Sequence, residues 1–198
     1  MSLTIELAER SWLPDWLIRR GIRRQLGQRL QACARNAAAL QDWAAQTRSG
    51  PIALHPAAAN AQHYEVPAEF FQLALGPRLK YSGCWWEDAQ HLAQAEEAML
   101  DLTCRRAGLA DGQDILELGC GWGSLSLWLA ERYPHSRILA VYNSAPQRQF
   151  ILSQCRRHGL NNLRVATADM NDFQPGGTFD RVVSVEMFEH MRNYEALL

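Results

Sequence analysis

Three alternating glycines follow a short apolar segment in the middle of the chain. Ile115-Leu116-Glu117-Leu118 is followed directly by Gly119-Cys120-Gly121-Trp122-Gly123. Glycines at a strand-to-helix turn let a ligand approach the backbone, and the free N–H groups of the helix start point toward that ligand. The pattern therefore predicts a ligand-binding loop over residues 119–123.

Two common nucleotide-binding motifs do not fit this loop. The dinucleotide fingerprint GxGxxG requires glycine where the chain has Ser124, and it is followed by a ribose-binding carboxylate about twenty residues later. The next apolar segment ends instead in Val141-Tyr142-Asn143-Ser144. The sequence also lacks GxxxxGK[ST], which excludes a P-loop nucleotide triphosphatase. The loop thus favours a ligand other than a nicotinamide or flavin dinucleotide.

A second group of reactive side chains lies near the end of the printed sequence. Glu186, Glu189 and His190 come directly after the apolar segment 179–185. Carboxylates and imidazoles are the common general acids and bases of enzymes. The spacing i, i+3, i+4 predicts that all three share one helical face. A glutamate near a helix start is also favoured by the helix dipole alone, so only the three residues together indicate a catalytic role.

The apolar pattern around these groups predicts strands that alternate with helices. Predicted strands cover residues 115–118, 137–142, 163–168 and 179–185, and predicted helices cover 13–47, 66–75, 88–107, 125–133 and 146–159. Such alternation indicates βαβ units, and hence an α/β fold with a doubly wound parallel sheet. We expect the strand order 3-2-1-4. Ligands of such sheets bind at the carboxyl edge, where both groups of residues fall.

Composition excludes several classes of protein. The 198 residues carry 20 basic and 21 acidic side chains, without the basic excess typical of a nucleic-acid binder. No run of 18 apolar residues and no secretory signal is present, so we expect a cytoplasmic protein. Five cysteines without a CxxC pair favour reduced thiols, and no metal site is predicted.

The predicted N-terminal helix is amphipathic. Its apolar stripe includes Ile22, Leu26 and Leu30, and its opposite face is rich in arginine, with Trp12 and Trp16 near its start. One interpretation is a solvated face of a helix packed on the body of the protein. The other is peripheral contact with an anionic membrane surface.

The motifs together resemble one enzyme family. The segment ILELGCGWG resembles motif I of class I S-adenosylmethionine-dependent methyltransferases. The cyclopropane-fatty-acyl-phospholipid synthases and the related coclaurine-type N-methyltransferases are similar over about residues 62–198, through Tyr64-Glu65-Val66-Pro67, Tyr81-Ser82-Gly83-Cys84-Trp85-Trp86, GCGWGSLSLWLAERYP and SVEMFEHMRNYEALL. The resemblance implies a class I methyltransferase (Rossmann-like) fold with an N-terminal helical lid, and S-adenosyl-L-methionine as cofactor.

The resemblance also implies roles for individual residues. Glu189 and His190 match a Glu-His pair that lies over the substrate, and Glu186 matches a further carboxylate of the N-methyltransferase branch. Cofactor contacts are implied for lid residues Tyr81 and Ser82, for loop residues Glu117, Gly119, Cys120, Gly121 and Gly123, for Asn143, Ser144 and Gln147 on the ribose and carboxylate side, and for Asp169 and Met170 on the adenine side.

We expect three regions and an incomplete sheet. Residues 1–60 form an amphipathic helical region and linker, 61–108 the helical lid, and 109–198 a partial S-adenosylmethionine-binding domain. The implied fold has seven strands and four are readable, so we expect a sequence truncated after the fourth strand. The bare edge of that strand predicts aggregation, weak cofactor binding and little turnover.

The favoured function is methyl transfer from S-adenosylmethionine to a small-molecule amine or a lipid. The alternative is a cyclopropane-fatty-acyl-phospholipid synthase that acts on unsaturated acyl chains, and a second alternative is an inactive, truncated cofactor-binding remnant. Both enzymatic branches require a base near the acceptor, which Glu189 can supply. The sequence indicates no nucleic-acid partner, and it does not fix the oligomeric state.

Overall fold

The computed structural model describes residues 3–35, 39–54 and 67–198. The chain forms two compact units, Met1–Ser49 and Gly50–Leu198. The motif residues Tyr64, Glu65 and Val66 lie outside the described residues, as does the expected boundary between 60 and 61. The expected boundary between lid and sheet domain, after residue 108, stays a prediction.

The first unit consists of helices. The predicted helix over 13–47 corresponds to two of them, and residues 36–38 between these two lie outside the described part. A further short helix at the start was missed, because seven residues are too few to show an apolar repeat. The helices are α1 (Leu3–Glu9), α2 (Asp15–Arg35) and α3 (Ala39–Ser49). No side chain of α2 is buried, and its apolar stripe at Ile22, Leu26 and Leu30 is exposed. Of the helices that the structure describes, none is both long and apolar enough to cross a bilayer.

The second unit is built on a parallel sheet. Its elements are α4 (Ala68–Ala74), α5 (Leu92–Arg106), β1 (Asp114–Leu118), α6 (Ser124–Arg132), β2 (Arg137–Tyr142), α7 (Ala145–His158), β3 (Leu163–Thr167), β4 (Arg181–Ser184), a 3-10 turn (Phe188–His190) and α8 (Tyr194–Leu197). The strand order is β3-β2-β1-β4 and every pair is parallel. The predicted α/β fold and the predicted strand order are therefore confirmed.

Register brings the strand ends to one edge. Leu118 at the end of β1 lies opposite Val141 of β2 and Ser184 of β4. Ser184 Oγ also donates a hydrogen bond of 3.0 Å to the Leu118 carbonyl oxygen. The loops that follow β1, β2 and β4 consequently begin side by side.

Each face of the sheet carries an apolar core. Successive side chains of a strand point to opposite faces, so Ile115 and Leu116 contribute to different cores. The first core joins the sheet to α5, α6 and α7 through buried residues that include Leu100, Cys104, Leu125, Leu129, Ile138, Ile151, Cys155, Leu163 and Val165. The second contains Leu116, Leu118, Val141 and Met187. Met187 follows β4, so the second core fixes the segment that leads into the predicted catalytic residues.

Strand β4 forms one edge of the sheet. It pairs with β1 on one side, and no strand within 3–35, 39–54 or 67–198 pairs with its other side. Val182 in this strand is 56% exposed. An exposed β-branched side chain on an edge strand favours pairing between copies of a chain.

We therefore predict that Val182→Lys slows self-association several-fold, since a charge on an edge strand opposes pairing. Light scattering during incubation at fixed concentration measures the effect. Leu73→Lys is the control, because Leu73 is 89% exposed but lies in α4. Equal slowing by both substitutions would show that general surface polarity, rather than the strand edge, governs association.

Candidate functional site

A cavity of about 280 Å³ lies at the carboxyl edge of the sheet. Its walls come from the segment 79–82, from α5, from the glycine loop after β1, from the end of β2 and from the segment after β4. Nine residues predicted for the site line it: Tyr81, Ser82, Glu117, Gly119, Cys120, Gly121, Glu186, Glu189 and His190. The structure thus brings the glycine loop, the lid pair and the acid-base group to one place.

The glycine loop is shaped by close packing on one side and open space on the other. Gly119 has φ +84°, and a Cβ atom there would lie 2.7 Å from Cβ of Met187, so only glycine fits. Gly121 has φ +52°, and a Cβ atom on it would meet no protein atom within 4 Å. The first glycine therefore packs the loop against the segment after β4, and the second leaves backbone open to the cavity.

Glu117 is a buried carboxylic acid in the cavity wall. It belongs to β1, and it accepts a hydrogen bond of 2.5 Å from Ser126 Oγ of α6. Burial raises the pKa of Glu117 to about 7, although the bond from Ser126 opposes part of that rise. The group can therefore gain or lose a proton near neutral pH. Sequence reasoning selected Glu117 but missed Ser126, which lies nine residues away and meets it only in the folded chain.

The predicted helical face for Glu186, Glu189 and His190 is wrong. Glu186 lies outside any helix, and its backbone φ is +50°. A single 3-10 turn spans Phe188–His190. The reason is the burial of Met187, which packs against Gly119 and forces the backbone to turn sharply before it. All three reactive side chains nevertheless line the cavity. A non-glycine residue at positive φ costs about 1–3 kcal/mol, and such strain is typical of functional sites.

The lid segment contributes a residue that sequence reasoning missed. Lys80, the single lysine of the chain, lines the cavity and donates from Nζ to Ser82 Oγ. Its backbone N–H donates to the buried Glu96 carboxylate of α5 over 3.1 Å. Its rarity in the sequence was the one available signal, since its position depends on a contact between distant segments.

Six of the predicted cofactor contacts do not line the cavity: Gly123, Asn143, Ser144, Gln147, Asp169 and Met170. Gln147 is fully buried in the first turn of α7, and neither atom of its amide group has a hydrogen-bond partner in the described chain. Asp169 accepts hydrogen bonds from the backbone and side chain of Asn171. Their assignment as ligand contacts stays a prediction. Within the described residues, no group of three His, Cys, Asp or Glu side chains could hold a metal ion.

Comparison with known families matches residues 54–197 to mycolic acid cyclopropane synthetase. The chain belongs to this family. The match includes the whole sheet and every wall of the cavity.

The similar curated proteins include N-methyltransferases and cyclopropane-fatty-acyl-phospholipid synthases. The chain is 41% identical over 192 residues to (S)-coclaurine N-methyltransferase of Thalictrum flavum subsp. glaucum, an alignment that covers 94% of this chain and 53% of the relative. It is 35% identical over 136 residues to the cyclopropane-fatty-acyl-phospholipid synthase of Escherichia coli (strain K12), which covers 68% and 34%.

The fold of the chain is also similar to a solved structure of an N-methyltransferase. A crystal structure of coclaurine N-methyltransferase bound to N-methylheliamine and SAH superposes with a TM-score of 0.85 at 38% identity. The superposition covers 99% of this chain and 59% of the other. The chain thus spans between about a third and about half of the length of the curated relatives it matches.

Glu117 should make stability depend on pH. Between its ordinary pKa of 4.5 and its folded value of about 7, the folded state keeps a proton that the unfolded state has lost. The stability contributed by this group is therefore present below pH 4.5 and lost as pH rises through 7, by about 3 kcal/mol in total. Urea unfolding across this range measures the loss.

Glu117→Gln is the comparison for that measurement, since it keeps the shape and cannot ionise. We expect the free energy of unfolding of the wild type, relative to the variant, to decline between pH 4.5 and 7.5. Parallel profiles for the two proteins would mean that Glu117 does not titrate near neutrality.

Proposed function

We propose that this chain binds S-adenosylmethionine in the cavity and transfers its methyl group to a small-molecule amine. The observation that carries the proposal is the convergence of Glu186, Glu189 and His190 on the cavity that the glycine loop forms. When bound, the cofactor supplies an electrophilic methyl group on a sulfonium. In-line transfer of such a group depends mostly on positioning and electrostatics, which a rigid sheet edge provides.

The residues of the cavity fit this cofactor. Open backbone at Gly121 accommodates a ligand against the loop, and the Glu117 carboxyl group suits the ammonium of an amino acid. Buried polar side-chain atoms of Trp122 and Ser124, which line the cavity, lack hydrogen-bond partners in the described chain. Buried polar groups are nearly always hydrogen-bonded, so these atoms favour a polar ligand beside the loop.

The acid-base residues suit an amine acceptor. An amine must lose its proton before it can act as a nucleophile, and Glu189 or His190 in the cavity wall can accept that proton. The Glu186 carboxylate attracts the cationic form of the acceptor to the same place. We assign binding of the acceptor to Glu186, and proton removal to the Glu189-His190 pair.

The extent of similarity supports the amine branch. The alignment with the coclaurine enzyme includes the N-terminal unit and covers 94% of the chain, whereas that with the Escherichia coli synthase covers 68%. The second candidate is cyclopropane formation on unsaturated lipids, which the family match and the synthase relative support. That reaction also requires a base near the acceptor.

The loop assignment predicts the effect of a single methyl group. Gly121→Ala places a Cβ atom in the cavity where backbone is open, and we expect at least a tenfold loss of affinity for S-adenosylhomocysteine in calorimetric titration. The matched control is Gly112→Ala. Gly112 has φ +87° and open space around it, but it lies in an exposed turn away from the cavity. Equal effects of the two substitutions would refute a ligand at the loop.

The two branches are distinguished by mass spectrometry of the acceptor. With coclaurine, the amine that the name of one relative gives, we expect one added methyl group, a rate that rises with pH through the titration of the amine, and no effect of vesicles. Addition of one methylene per double bond to unsaturated phospholipid vesicles would assign the chain to the synthase branch. Cofactor binding without either product would indicate a cofactor-binding remnant.

Glu189→Gln tests the proposed base. We expect the rate of amine methylation to fall by about 10²–10⁴, with S-adenosylhomocysteine affinity nearly unchanged. Glu69→Gln makes the same charge change at an exposed position in α4, outside the cavity, and should keep the wild-type rate. A rate for Glu189→Gln within threefold of the wild type would contradict a role for Glu189 as base.

A further inference from the structure

The cavity contains one lysine and no arginine among the described residues that line it. Lys80 is 6% exposed, although its side chain ends in an ammonium group. Burial of such a group costs free energy unless it is paired with negative charge or hydrogen-bond acceptors. A buried lysine in a ligand-sized cavity therefore indicates an anionic partner.

Within residues 3–35, 39–54 and 67–198, the ammonium group of Lys80 makes one hydrogen bond. It donates to Ser82 Oγ, which is its hydrogen-bond partner among the described residues. An ammonium has three N–H donors, so the described residues leave two of them for other acceptors. Burial lowers the pKa of Lys80, while its electrostatic interactions with Cys84, Glu186 and Glu96 oppose that shift. Neither carboxylate forms a salt bridge with it in the described part of the chain.

The backbone of Lys80 is held in place by a buried carboxylate of α5. The fully buried Glu96 carboxylate accepts hydrogen bonds from the backbone N–H groups of Arg78 and Lys80, over 3.0 and 3.1 Å. Gly76 packs so closely on this carboxylate that a Cβ atom would lie 2.4 Å from Oε2. Because the Glu96 carboxylate accepts hydrogen bonds from backbone N–H groups, it holds Lys80 at the cavity and leaves the Lys80 ammonium group available to a ligand.

We propose that Lys80, together with Ser82, binds the carboxylate of the amino-acid portion of S-adenosylmethionine. The inference rests on the proposed function and names a contact within it. That portion of the cofactor carries both an ammonium and a carboxylate. Glu117 offers a negative charge to the first, and Lys80 offers a positive charge to the second from the same cavity.

This assignment replaces part of the expectation from sequence. The family resemblance places Asn143, Ser144 and Gln147 on the ribose and carboxylate side of the cofactor, but all three are neutral and none lines the cavity. A charged hydrogen bond contributes more to affinity than a neutral one. The predicted role of the three residues after β2 is then limited to contacts with the ribose of the cofactor.

The test compares two ligands that differ in the carboxylate alone. One is S-adenosylhomocysteine, and the other is its decarboxylated analogue, 5′-deoxy-5′-(3-aminopropylthio)adenosine, which keeps the ammonium. For Lys80→Met in the full chain, we expect calorimetry to show about 10- to 100-fold weaker binding of S-adenosylhomocysteine. The affinity for the analogue should change by less than about threefold, because the analogue lacks the carboxylate that Lys80 is proposed to bind.

Arg78→Met is the matched control. It removes the same charge two residues away, but Arg78 pairs with Glu97 and Glu131 and does not line the cavity. It should leave the affinities for both ligands unchanged. Lys80→Gln, which keeps a donor for Ser82 Oγ, replaces Lys80→Met if circular dichroism shows that the methionine variant is unfolded.

The outcomes separate this inference from the proposed function. If the wild type binds S-adenosylhomocysteine and Lys80→Met binds it equally well, or loses both ligands in parallel, Lys80 does not hold the carboxylate. The proposed function survives that result. If the wild type binds neither ligand, the proposed function itself is wrong, and the inference fails with it.

Discussion

Gly119 and Met187 are packed so closely that a methyl group at position 119 would collide with the methionine side chain. This contact joins the loop after β1 to the segment after β4. It places Glu186, Glu189 and His190 beside the glycine loop, although some seventy residues of sequence separate them. The strand order β3-β2-β1-β4 makes the contact possible, because β1 and β4 lie side by side only where the order of the sheet reverses.

A second buried contact brings the lid segment to the same edge. The Glu96 carboxylate holds the backbone of residues 78–80, and those residues lead directly into Tyr81 and Ser82. Loss of either backbone hydrogen bond would destabilise the folded state, because it would leave a buried carboxylate oxygen without a partner. The two contacts together assemble the cavity from three distant parts of the chain, and each uses glycine where a side chain would not fit.

The sheet was predictable from sequence because its signals are local. Each strand is a short apolar run, and the turn after β1 is marked by glycines whose backbone conformations only glycine adopts easily. The helix expected over Glu186–His190 failed because residue spacing ignores the burial of Met187, a tertiary contact. Lys80 and Ser126 were missed for the same reason. Their roles arise from partners, Ser82 and Glu117, whose proximity depends on the packed lid and on α6.

The proposed methyl transfer requires that one cavity holds both the cofactor and the acceptor. A crystal structure of the chain with S-adenosylhomocysteine measures this. We expect density for the amino-acid portion of the ligand against Gly119–Gly121, with its sulfur facing the space lined by Glu186, Glu189 and His190. Ligand bound at another surface, with the glycine loop untouched, would contradict it.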